Sequence, residues 1–279
     1  MLRQFPEHPL RRALLPVTYV EAAIAGARER RRFERVETYC MFIGYPRSGH
    51  SLVGSLLDAH PDVIIAHELD ALGFIGARFT RDQLYALILA NSRSIAARGR
   101  RHLYDYVVPG QSQGSSDTLR VIGDKRGGAS MVRLRRDPTL LDRLNRVVGD
   151  PVRFVHVVRN PFDNVSTIAK RWDATIEDSV RIYADLCGTV ADLKARVPPE
   201  RVFDLRHEDL VRDARESLRT MCEFLRIVPS ESYLDACAGI VWPSTHRSRD
   251  ERDWDPGTRV EVERIIAAHE FLRGYTFED

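Results

Sequence analysis

The sequence predicts a three-layer α/β fold, with a central parallel sheet and helices packed on both of its faces. Two observations carry that expectation. Short apolar runs of the kind that form strands buried on both sides alternate along the chain with stretches of helical periodicity. The first such run, TYCMFIGY at 38–45, passes through a glycine-bearing turn straight into an amphipathic helix over 51–59, with Leu52, Leu56 and Ala59 on one face.

Each element follows from local chemistry. Thr18 followed by Glu21 resembles a capping box and opens an arginine-rich helix over 20–36. Further strands are expected at DVIIA (62–66), LRVIG (119–123), VRFVHVV (152–158) and RVFDL (201–205). Thr80 with Gln83 starts a helix over 80–98, and Pro138 suits the first turn of one over 138–147. Asn160-Pro161 begins another, Thr175 with Asp178 opens a long one ending before Pro198-Pro199, and 214–226 carries Leu218, Met221, Cys222 and Leu225 on one face. PGQSQGSSD, 109–117, reads as a mobile loop.

Composition limits the function classes. The 279 residues are enough for one domain over 1–279, with 1–37 as a helical N-terminal extension. A formal charge of +2 supplies no global field for nucleic acid or acidic membranes, so an anion site must be local. No run approaches the roughly 20 apolar residues that cross a bilayer, which argues against integral membrane association. Four dispersed cysteines form no zinc or disulfide pattern, and the histidines show no ligand spacing, so a cytoplasmic protein without a metal is expected. Only three of the basic residues are lysines: Lys125, Lys170 and Lys194.

The chemistry is concentrated in Gly44-Tyr-Pro-Arg47-Ser48-Gly49-His50-Ser51. It matches the spacing GxxxxGK[ST] of a phosphate loop in a P-loop nucleoside triphosphate hydrolase-like fold, except that His50 replaces the lysine. The amides of Ser48, Gly49, His50, Ser51 and Leu52 can converge on anionic oxygens at the start of a helix. Arg47 offers a permanent cation able to clamp an anion without a metal. A second cation, Arg159, ends the run VRFVHVV at the carboxyl edge of the sheet, where open α/β folds bind ligands, and Ser166 lies two turns into the following helix.

These segments resemble a family. GYPRSGHSLVGSLLDAHPD is similar to the donor-binding segment of sulfotransferases that use 3′-phosphoadenosine 5′-phosphosulfate (PAPS), above all the tyrosylprotein and carbohydrate branches, and VHVVRNPFDNVSTIA resembles their 3′-phosphate site. LRHEDLVRDARESLRTMCEFLRI is a third, weaker likeness. The resemblance implies metal-independent, in-line transfer of the sulfuryl group of PAPS to an acceptor hydroxyl, with Arg159 and Ser166 on the 3′-phosphate. It implies Glu68 as general base, with His67 and Asp70 as rivals, and Lys125 as the cation on the transferring group. His50, where the family has threonine, either donates to the leaving oxygen or faces the groove. His207, where a tyrosine is common, either stacks on adenine or packs on the sheet. WPSTHRSRDERDWDPG, 242–257, reads either as a loop bringing Arg247 or Arg249 to the 3′-phosphate or as a solvated basic loop. Two other readings stand beside this one: a magnesium-dependent P-loop kinase, and a non-catalytic anion-binding relative. Acceptor class and oligomeric state are not legible.

Overall fold

A computed structural model describes residues 12–97, 106–149 and 151–279. Among these, five strands form one parallel sheet in the order β2-β3-β1-β4-β5: β1 (Thr38–Gly44), β2 (Val63–His67), β3 (Val121–Lys125), β4 (Val152–Val158) and β5 (Val202–Arg206). The expected α/β architecture is therefore present. Alternation along the strands sends Tyr39, Met41 and Ile43 into one apolar layer and Cys40 and Phe42 into the other. Each layer is sealed by helices.

The first layer is covered by α1 (Leu15–Phe33), α3 (Ala71–Gly76), α4 (Arg81–Ala96), α5 (Gly127–Arg136), α6 (Leu140–Val148), α7 (Pro161–Trp172), α8 (Ile176–Arg196) and α12 (Pro256–Ala268). The second takes α2 (His50–Asp58), α10 (Ala214–Leu225) and α11 (Glu231–Ala238), while the short α9 (His207–Arg212) follows β5. Because β1 lies between β3 and β4, the chain leaves it toward β2 on one side while β4 flanks it on the other. That reversal opens a crevice beyond the carboxyl ends of β1 and β4.

Several local expectations hold. Thr80 and Gln83 form a reciprocal cap, with Thr80 N donating to Gln83 Oε1 at 2.7 Å. Asn160 caps α7 with Pro161 in its first turn, and Thr175 accepts from Asp178 N at 3.0 Å to start α8. Others fail for identifiable reasons. Thr18 lies buried inside α1, because Pro16 already suits the first turn one turn earlier. Pro138 precedes α6, whose N-cap is Thr139. The stretch 109–117 is not loose: Gly114 N donates to the buried Asp58 Oδ2 at 3.1 Å, and Asp117 N donates to Pro61 O at 2.8 Å. Of the expected extension over 1–37, residues 1–11 lie outside the described residues, as does residue 98 of the helix expected over 80–98.

The Gly127-Gly128 pair opens α5 directly against the turn after β1. A methyl group at Gly127 would lie 2.3 Å from His50 Cε1, and the His50 ring is held by a 2.9 Å bond from Nε2 to Ile43 O. The ring cannot yield without breaking that bond. Gly127→Ala is expected to lose about 1–3 kcal/mol of stability, read as a lower urea midpoint at unchanged m-value; an unaltered midpoint would show that the approach is not tight.

Candidate active site

The loop between β1 and α2 takes the path that its two glycines allow, with φ of 118° at Gly44 and 102° at Gly49, and α2 starts at His50. Asn164 of α7 donates to Pro46 O at 2.7 Å and holds the loop from the far side. Arg47 adopts φ of 71°, and Glu68 and Asp70 adopt 55° and 70°. Such conformations cost a non-glycine residue about 1–3 kcal/mol each and persist where the surroundings impose them.

Around Glu68 the imposing group is Asp124, the residue before Lys125. Its buried carboxylate accepts from Leu69 N at 3.0 Å and Ala71 N at 2.8 Å, and burial pushes its pKa up to about 6. Asp70 is then consumed structurally: it caps α3 and pairs with Arg126 at 3.0 Å and with Arg133. It is not available as a base. His67 is the last residue of β2, in register beside Lys125.

Lys125 is 2% exposed, yet its ammonium meets three partners: Ser51 Oγ at 3.1 Å, Glu68 Oε1 at 3.1 Å and His67 Nε2 at 3.3 Å. Its ion pair is with Glu68. Burial lowers the lysine pKa, with Glu68 opposing. The Glu68 carboxylate, with half its surface exposed, is raised by its partial burial, but Lys125 and His67 outweigh that and keep it below the ordinary value. The loop that lacks its own lysine thus receives an ammonium from β3, at the serine that follows His50.

His50 itself turns inward. Its Nε2 points to Ile43 O, Nδ1 lies 3.1 Å from Ser48 Oγ, and burial drives its pKa down to about 3. Neither expected role for its ring fits, because the side chain faces neither the groove nor a leaving oxygen; its backbone amide remains part of the loop.

The second pocket gathers arginines. Arg159, 8% exposed, follows β4 and donates to His246 O, and Ser248 Oγ lies 3.4 Å away. Asp163 accepts from Arg249 N at 3.0 Å, and its Oδ2 lies 3.8 Å from Arg249 Nη1 in a buried ion pair. Burial lowers the Arg159 pKa, the carboxylates of Asp163 and Glu208 oppose it, and the positive charges of Arg47 and Arg249 lower it further. Arg159 Nε, Ser166 Oγ, His207 Nδ1 and Arg249 Nε and Nη1 are all buried without a hydrogen-bond partner. His207 sits against the loop, its Nδ1 2.7 Å from where a methyl at Gly49 would be, and burial with Arg159 nearby drives its pKa to about 4. It neither lies exposed to stack nor packs on the sheet alone; it stands between the two pockets. Arg247 turns outward to Asp250 at 2.9 Å and to the carbonyls of Glu278 and Asp279. Of the two arginines expected from 242–257, only Arg249 reaches the pocket. Asp163, which carries Arg249, was missed; its signal is an acidic residue in the first turn of a helix that begins at a ligand-binding sheet edge.

A cavity of about 860 Å³ opens beside Arg47, Ser51, Glu68 and Lys125 and runs toward α4 and the 106–113 segment. Arg159 is not among the residues that line it.

Residues 41–230 match the model of the sulfotransferase family. The chain belongs to that family. The expected kinship with the PAPS-dependent sulfotransferases, an enzyme class, is therefore met. Among solved structures, the chain is similar to the sulfotransferase domain of the Synechococcus PCC 7002 olefin synthase: 17% identity, TM-score 0.53, covering 83% of this chain and 94% of that one. It is also similar to the sulfotransferase domain of the curacin biosynthetic pathway (16% identity, TM-score 0.53, 85% and 99% covered). Sulfotransferase STF9 from Mycobacterium avium gives 11% identity, TM-score 0.52, and 86% and 79% coverage. At these identities the likeness is one of fold. No curated protein matches the chain. Among the described residues no helix is long and apolar enough to cross a membrane.

Two measurements test this geometry. Neutral His50 has a pKa of about 3 against 6.5 for an ordinary histidine, so the unfolded chain binds that proton first. The stability it contributes is full above pH 6.5 and is lost as pH falls toward 3. In His50→Gln, stability measured by denaturation between pH 6.5 and 4.5 should fall less steeply than in the parent; equal slopes would mean the ring is not held neutral. Ser166→Ala removes a buried hydroxyl that has no partner, so the ligand-free protein should gain about 1 kcal/mol; a loss of that size would reveal a bond to Ser166 in the ligand-free state.

Proposed function

We propose that this sulfotransferase moves the sulfuryl group of PAPS to an acceptor hydroxyl by in-line displacement, with Glu68 as general base and without a metal. The observation that carries the reading is the set of buried atoms without a hydrogen-bond partner on Arg159, Ser166 and Arg249, whose guanidinium still pairs with Asp163, separated by His207 from the ammonium and amides of the phosphate loop. Buried cationic donors without partners are costly, and an anion relieves them. Two such regions at one sheet edge suit a nucleotide with anions at both ends. Arg159, Ser166 and Arg249 would hold the 3′-phosphate, while Arg47, Lys125 and the amides from Ser48 to Leu52 would hold the 5′ end, which supplies the sulfuryl group.

The residues' own chemistry supports the roles. Glu68 and Lys125 share a proton-poor pair, so Glu68 is a weak base while the ammonium stays on it. An anion at the loop competes for that ammonium, and Glu68 then recovers its basicity and accepts the acceptor's proton. Lys125 meanwhile stabilises negative charge at the leaving side. Where magnesium-dependent P-loop enzymes place their metal, on the serine after the lysine, Lys125 stands 3.1 Å from Ser51 Oγ, and its charge repels a divalent ion. That favours metal-independent transfer over the kinase reading.

Glu68→Gln is the preferred variant, because alanine would leave the buried ammonium poorly matched. It should lower kcat about 10²- to 10⁴-fold while adenosine 3′,5′-bisphosphate affinity stays within about twofold. Arg159→Ala should weaken the bisphosphate instead, and chelators should not change the rate. Undiminished turnover in the Glu68 variant, or thermal stabilisation by ATP with magnesium but not by the bisphosphate, would sink the proposal.

A further inference from the structure

The two buried arginines of the second pocket sit on separate segments, and a third segment ties both. Arg159 directly follows β4, while Arg249 belongs to the stretch 242–257. Residues 273–279 bond to each of these segments without using any of the atoms that the pocket leaves unpartnered. We propose, resting on the donor reading above, that 273–279 is a strap that sets the aim of Arg159 and Arg249, with Tyr275 and Glu208 as positioning residues that confer selectivity for a 3′-phosphate.

Glu208 is the joint. Its Oε1 accepts from the amide directly after Arg159, Asn160 N, at 2.9 Å, and its Oε2 accepts from Tyr275 Oη at 2.7 Å. Asn160 returns the contact, donating from Nδ2 to Thr276 O at 2.9 Å while its Oδ1 accepts from Phe162 N at 3.0 Å and starts α7. The peptide leaving Arg159 is therefore held by both a carboxylate and the strap's backbone. The same carboxylate supports the Arg159 charge that burial opposes. Glu208 also follows His207, whose ring fills the gap beside Gly49 between the two pockets.

The strap is itself fixed on both flanks. Tyr275 is 7% exposed and packs under the Arg206 guanidinium, 4.6 Å from the ring centre, and Arg206 donates to Arg273 O as well. On the other flank Phe277 meets Phe162 of α7 at 5.0 Å and Trp254 at 6.1 Å, both edge to face. Arg247 donates to Glu278 O at 2.7 Å, so its outward turn closes the strap over the segment that carries Arg249. A guanidinium grips an anion well only when its fork is held to within about 0.5 Å of the productive position, and bonds behind it do that holding.

Calorimetry on the whole protein compares adenosine 3′,5′-bisphosphate with adenosine 5′-monophosphate, which lacks the group the two arginines would hold. Tyr275→Phe keeps the ring and removes the bond to Glu208. It should weaken the bisphosphate roughly five- to tenfold and leave the monophosphate within about twofold. Arg206→Ala loosens the strap from the sheet side; it should shift the two ligands in the same unequal way, and it decides the matter if the tyrosine variant does not fold. Unchanged bisphosphate affinity, or an equal loss for both nucleotides, overturns the positioning role, while a parent that still prefers the bisphosphate keeps the donor reading. A parent that binds the bisphosphate no more tightly than the monophosphate overturns the donor reading and this inference with it.

Discussion

A positive charge is held at the end of β3 in a place that water scarcely reaches. Taking an ammonium out of solvent costs several kcal/mol, and the cost is tolerable only when its protons are all accepted. Ser51 and Glu68 accept protons of Lys125, His67 Nε2 lies 3.3 Å from its ammonium, and each of the three comes from a different constraint. Ser51 is fixed by the start of α2, His67 by its register with Lys125, and Glu68 by the left-handed turn that Asp124 ties down through two amides. The sheet therefore does more than carry the site. Its register decides which side chains can share the ammonium.

The arginine pocket follows a different logic. Burial is the main cost on the Arg159 charge, the carboxylates of Asp163 and Glu208 oppose it, and Arg47 and Arg249 add to it. Such an arrangement is stable only because the surrounding scaffold is deep enough to impose it: Asp163 holds Arg249 by its backbone amide, and the His246 carbonyl holds Arg159. In the proposed function, the donors left over are aligned before the donor nucleotide arrives, which shifts an ordering cost from the moment of binding to the moment of folding.

The departures from the family pattern have structural explanations. With histidine in place of the loop's usual residue, the imidazole fills the space under Gly127 and ties Ser48 to the end of β1. It rigidifies the loop without adding a charge, since burial keeps it neutral. His207 does similar work from the other side, filling the gap beside Gly49.

Much of this was legible in the linear chain, for a physical reason. Strands buried on both faces write themselves as apolar runs, caps and prolines mark helix starts, and a phosphate loop needs glycines at fixed spacing, so the α/β class, the loop and Arg159 with Ser166 could be read from residues near one another. The short helices α3, α5 and α9 could not, because six to ten residues carry too little periodicity and α5 opens on two glycines. Nor could the partners of single side chains. That His50 turns to Ile43, that Arg247 turns outward while Arg249 turns in, that Asp70 is consumed by two arginines and that Lys125 meets Ser51 across 74 positions of chain all depend on packing between elements distant in sequence. The residue types of the site were set by local chemistry that a sequence displays. Which of them face one another was decided only by sheet order and burial, since direction and desolvation are properties of the folded whole.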